Sequence, residues 1–140
     1  MADVRSLYQA SILEHSKAPR NFGKLAGVSR RASRENPLCG DQITLYAIVE
    51  GSRIAAVAFE GEGCALSVAS ASMMGEMIKG RTLAEVETLS ERFADLLRRG
   101  AVAGADLGPL AAFAPVVEFP GRVECVRLAW HALGEALREP

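Results

Sequence analysis

A two-residue alternation constrains this chain more than any other feature. Ile43, Leu45, Ala47 and Val49 alternate with Gln42, Thr44, Tyr46 and Ile48. Successive side chains of an extended strand point to opposite faces, so the segment reads as a strand with one buried face. Glu50-Gly51-Ser52-Arg53 supplies a hairpin turn, and Ile54 to Glu60 reads as the antiparallel return strand. The polar stretch Ser29 to Asn36 adds an edge strand to the same sheet.

Around this hairpin the periodicity becomes helical. Val4, Leu7, Tyr8 and Ile12 predict an amphipathic helix from Asp3 to about Lys17, stopped by Pro19. Gly61-Glu62-Gly63 breaks the return strand. Cys64 then opens Ala65 to Lys79, a stretch rich in small residues and Met that reads as a buried helix ended by Gly80. Its methionines Met73, Met74 and Met77 are core fillers. Thr82 with Glu85 is a capping-box signature for a helix to about Arg99. Gly100 to Pro120, rich in Ala, Gly and Pro, predicts irregular chain or short helical turns. Val123, Val126, Trp130, Leu133 and Leu137 predict a last helix over Arg122 to Arg138. The expected class is α+β, a three-stranded antiparallel sheet with helices packed on one face, in one domain spanning residues 1–140. With 49% apolar residues in 140, that domain needs no disulfide or metal merely to fold.

Composition excludes several classes of partner. Sixteen Lys and Arg against seventeen Asp and Glu leave a net charge of −1, which gives no pull toward nucleic acid or an anionic membrane. No apolar signal region follows Met1, and the weakly charged stretch Gly100 to Val117 is broken by Asp106, Pro109 and Pro115. The expected location is the cytoplasm, where Cys39, Cys64 and Cys125 stay reduced.

These three cysteines carry the chemistry. Cys39 lies in Asn36-Pro37-Leu38-Cys39-Gly40-Asp41, a loop fixed by proline and glycine. In extended chain, Cys39 and Asp41 present a thiol and a carboxylate to one side. Cys64 follows Gly61-Glu62-Gly63 at a helix start, where free N–H groups favour the thiolate. Cys125 lies in the first turns of the last helix, after Phe119-Pro120-Gly121. A free cysteine is often only a small buried hydrophobe; all three of these instead adjoin Gly or Pro breaks. Three thiolates and Asp41 make a four-ligand set for a tetrahedral, thiophilic metal such as zinc. The two histidines suit that set less well. His131 lies about 120° around the helix from Cys125, and His15, at the end of the first helix, is expected to act as a C-terminal cap. Arg122, one turn before Cys125, either pairs with Asp41 or faces water.

Three stretches together, Leu7-Tyr8 through Glu14-His15-Ser16-Lys17-Ala18-Pro19-Arg20-Asn21, then Asn36 to Asp41, then Phe59 to Ser72, resemble the U-type iron–sulfur scaffold family, which comprises IscU, SufU and the N-terminal domain of NifU. The resemblance implies metal or cluster binding by Cys39, Asp41, Cys64 and Cys125 at one end of an α+β domain. The chain has Glu124 where the IscU branch has a histidine, and Phe119-Pro120-Gly121-Arg122-Val123 where that branch carries a chaperone motif. The Leu83 to Pro115 region resembles the longer connection of the SufU type. The resemblance thus implies a zinc-dependent sulfur acceptor working with a SufS-type cysteine desulfurase and passing sulfur to downstream assembly or acceptor proteins. It would be a sulfurtransferase acting with a partner rather than a stand-alone enzyme. The alternative is a scaffold on which a [2Fe–2S] cluster is built on Cys39, Cys64 and Cys125 and released. Cys39, on a loop, is the expected sulfur acceptor, with Cys125 as its rival.

Overall fold

The alternating segment forms β2 (Asp41–Glu50), paired on one side with β1 (Arg30–Asn36) and on the other with β3 (Arg53–Glu62), all antiparallel in the order β1-β2-β3. The computed structural model describes residues 4–37, 40–100 and 107–138. Ile43, Leu45 and Ala47 are buried, as the alternation requires, together with Ile54, Val57 and Phe59 of β3. The opposite face carries polar cross-strand pairs: Ser33 with Thr44 at 2.7 Å, and the Tyr46 hydroxyl donating to Glu60 at 2.6 Å.

Among the described residues the helices are, in chain order, α1 (Ala10–Lys17), α2 (Ala65–Ile78), α3 (Leu83–Arg99) and α4 (Pro120–Arg138). Among the described residues, 3-10 segments Val4–Leu7 and Gly108–Glu118 stand before α1 and α4. Helix α4 lies against β1 and β2, α2 against β3 and α4, and α1 against α2. The helices thus share one face of the sheet, as expected. Among the described residues, no helix is long and apolar enough to cross a membrane.

Three local expectations change. The first helix is broken at Tyr8 and Gln9, where Gln9 is extended and its side chain donates to the Ala112 carbonyl at 3.0 Å. In one continuous helix Leu7 and Ile12 would diverge by about 140°; the break lets both be buried. Gly61 does not end β3, which continues through Glu62. Its φ is +154°, and a Cβ there would lie 2.0 Å from the Gln42 carbonyl oxygen, so the strand passes only with glycine. The last helix starts at Pro120, two residues early, because proline suits a first turn that has no acceptor for its N–H.

Outside β3, the segment after α1 runs along the sheet edge. Phe59 N–H donates to Asn21 O, and Gly23 N–H donates to Phe59 O. Asn21 takes φ +62°, a conformation its short polar side chain tolerates.

Candidate metal centre

Three chain breaks converge at one end of the sheet. Asp41 is the first residue of β2, Cys64 immediately precedes α2, and Cys125 lies in the second turn of α4. One ligand atom from each, the two Sγ atoms and a carboxylate oxygen, lie within 4.8 Å of one another. Asp41 and Cys125 are 2% and 3% exposed, whereas Cys64 is half-buried and flanked by exposed Gly63 and Glu62. The centre therefore opens outward at Cys64. Leu38 and Cys39 lie outside the described residues.

The Asp41 carboxylate is held at both oxygens. Oδ1 accepts the Cys64 backbone N–H at 3.0 Å, and Oδ2 accepts the Ser67 hydroxyl at 2.5 Å. The Cys64 Sγ stands 3.8 Å from Oδ2 and 3.7 Å from Ser67 Oγ. A negative carboxylate suits this position, because the helix start of α2 carries partial positive charge. Gly63 is required for the approach: a Cβ there would meet Asp41 Oδ1 at 2.8 Å. On the opposite side, Asn36 Nδ2 points at Cys125 Sγ from 4.0 Å, a weak N–H···S contact. Gly40, at φ +76°, donates its N–H to Asn36 O at 2.8 Å immediately before Asp41.

The other charged candidates go elsewhere. Arg122 donates to the Tyr8 hydroxyl at 3.1 Å rather than pairing with Asp41. His131 stands 3.7 Å from Glu124 on the surface of α4. His15 is no capping cation: it is buried, and its Nδ1 lies 2.7 Å from Ser72 Oγ, which also accepts the Arg20 N–H at 2.8 Å. Burial, reinforced by Arg20, pushes the His15 pKa down, so the ring favours its neutral form.

Two polar residues of the centre do not stand out in the sequence, Ser67 and Asn36. Ser67 falls in a run of small residues that reads as packing. Its one signal is position, since three residues after Cys64 on a helix is the same face. Asn36 sits directly across the ladder from Asp41, a relation visible only once the β1–β2 register is known.

The donor set suits a thiophilic ion that takes sulfur and oxygen together, as zinc does. The chain matches the NifU-like N-terminal domain family over residues 7–138. It is 39% identical over 133 residues to the zinc-dependent sulfurtransferase SufU of Bacillus subtilis, covering 94% of this chain and 90% of that protein. It is 36% identical over 139 residues to the iron–sulfur cluster assembly scaffold protein IscU of Streptococcus pyogenes, covering 99% and 87% respectively. Its fold matches the crystal structure of FiSufU, a SUF-system protein from Fervidobacterium islandicum AW-1, at a TM-score of 0.89 and 33% identity, covering 96% of this chain and 99% of that one.

Proposed function

The chain belongs to the NifU-like N-terminal domain family, and from that premise we propose that it accepts sulfur from a cysteine desulfurase and passes it into iron–sulfur cluster assembly. In this reading zinc is held by Cys39, Asp41, Cys64 and Cys125, the partner is a SufS-type desulfurase in the cytoplasm, and downstream assembly or acceptor proteins receive the sulfur. The observation that carries it is the convergence of Asp41, Cys64 and Cys125, residues from three distant segments, within 4.8 Å. A 140-residue core with so many buried apolar side chains has no need of a structural metal. Zinc bound there keeps cysteine sulfurs in the thiolate form at neutral pH.

The chain's own residues perform the exchange. A thiolate attacks the outer sulfur of the desulfurase persulfide. One S–S bond forms to this chain, the desulfurase S–S bond breaks, and its electron pair leaves on the desulfurase thiolate. The proton on the outer sulfur travels with it, so no oxidant or reductant is consumed. Cys39 is the proposed acceptor. In sequence it stands between Pro37 and Gly40, where displacement costs fewer contacts than moving α2 or α4. Asp41 orients the start of α2, and Cys64 gives the incoming group its access.

Metal analysis of protein purified without added metal, followed by mass spectrometry after incubation with desulfurase and cysteine, tests this reading. Expected results are one zinc per chain, lost in Cys64→Ser and Cys125→Ser, and an added sulfur on Cys39. Sulfur on Cys125 with Cys39 unmodified rejects the acceptor assignment. Iron with acid-labile sulfide in place of zinc turns the assignment to the scaffold function, with the cluster as cargo.

A further inference from the structure

Resting on the zinc reading above, we infer that Ser67 is a positioning residue for the metal: its hydroxyl fixes the Asp41 carboxylate so that Oδ2 faces the thiol of Cys64. A buried serine inside a helix usually bonds back to a carbonyl of its own preceding turn. Ser67, fully buried, instead donates across to Asp41, 26 residues earlier, at 2.5 Å. The second oxygen of the same carboxylate accepts the Cys64 N–H at 3.0 Å. Both restraints come from one turn of α2, so the rotation of the carboxylate is set by the helix that also carries Cys64.

The distribution of the two bonds supports the same role. An ionised carboxylate offers about four acceptor sites, and the Cys64 N–H and the Ser67 hydroxyl each take one, on different oxygens. Held this way, Oδ2 stands 3.8 Å from Cys64 Sγ. Without the hydroxyl, Oδ2 loses this restraint, and metal binding must supply the order that the bond now provides. Residues that orient a ligand in this way typically govern affinity by about 10–100-fold.

Two other serines of α2 supply the control. Ser70 and Ser72 are equally buried, but they bond to α4 and to the His15–Arg20 segment. A purely structural role for Ser67 would make it behave like Ser72.

The test is zinc affinity of the whole chain, measured by competition with a chromophoric chelator, for wild type, Ser67→Ala, Asp41→Ala, the double variant and Ser72→Ala. Ser67→Ala is expected to raise the zinc Kd about 10–100-fold. In the Asp41→Ala background the same change is expected to add nothing, because its target is gone. Ser72→Ala is expected to keep the wild-type Kd while lowering thermal stability. A wild-type Kd for Ser67→Ala, or an equal loss with and without the Asp41 carboxylate, overturns the proposal and leaves the zinc reading intact. Failure of wild type to take zinc from the chelator overturns the zinc reading and this proposal with it. Should Ser67→Ala not fold, Ser67→Thr and Ser67→Val differ only by the hydroxyl; equal Kd values for that pair overturn the proposal, and tighter binding by Thr sustains it.

Discussion

Helices α2 and α3 begin with the same residue geometry but complete it in different ways. At α3, Thr82 accepts the Glu85 N–H at 3.1 Å and the Glu85 carboxylate accepts the Thr82 N–H at 2.9 Å, a box closed within four residues. At α2 the capping position is Cys64, whose side chain makes no cap, and the residue three positions on is Ser67. The carboxylate that accepts the Cys64 N–H comes from Asp41, on β2, and Ser67 bonds to that carboxylate instead of reaching back itself. The acid of the box has been moved into another strand. A helix start closed locally is only structural, whereas one closed by a strand residue couples the helix to whatever that residue ligates.

Breaking the two starts separately should show the difference. The largest effect is expected for Asp41→Ala, which removes the buried carboxylate that accepts from the Cys64 N–H and the Ser67 hydroxyl. In metal-free protein we expect a loss of about 3 kcal/mol in urea unfolding. Gly63→Ala places a Cβ against Asp41 Oδ1, and is expected to cost about 2 kcal/mol and to weaken zinc retention as well. Thr82→Ala opens the α3 box and is expected to cost about 1 kcal/mol with zinc content unchanged. Loss of zinc in Thr82→Ala would erase the distinction between the two helix starts.

Acid sharpens the comparison further. The His15 pKa is depressed by burial, and Ser72 on α2 is its hydrogen-bond partner. The unfolded chain protonates this histidine near its ordinary value of 6.5, so the folded state loses stability as pH falls below that value, until His15 itself takes a proton. His131, also depressed by burial, acts in the same direction. The protection factors of α2 amides, taken relative to intrinsic exchange at each pH, are therefore expected to fall between pH 7.5 and 5.5, and His15→Gln should flatten that response. Glu85 gives the smallest effect. The Thr82 backbone N–H depresses its pKa, so its contribution is present above the ordinary value of 4.5 and fades as pH falls through the lowered one. Below pH 4.5 the protection factors in the first turn of α3 should fall, and Glu85→Gln should abolish that step.

Legibility in the sequence tracks the range of each interaction. The hairpin and the Thr82–Glu85 box are local, and their periods and spacings survive in sequence. The candidate ligands Asp41, Cys64 and Cys125 are legible because each cysteine and the acid adjoin Gly or Pro breaks rather than the middle of an apolar face. The break before α1 is hidden because Gln9 answers to Ala112, 103 residues away. His15 reads as a C-terminal helix cap because its partner Ser72 lies 57 residues on. Gly61 reads as a strand breaker, since the approach of the Gln42 carbonyl exists only after β2 and β3 have paired.

The three buried serines of α2 also fix its rotational phase. Apolar packing is non-directional, and a helix built largely of alanine, methionine and serine would sit against its neighbours in several azimuths at similar cost. Hydrogen bonds have direction. Ser67, Ser70 and Ser72 leave the axis at roughly 0°, −60° and 140° from one another, and their bonds run to β2, to α4 and to the segment after α1. Turning α2 by one residue breaks all three bonds at once. The azimuth of α2 is therefore shared among three hydroxyls, and loss of any one leaves the other two to hold it.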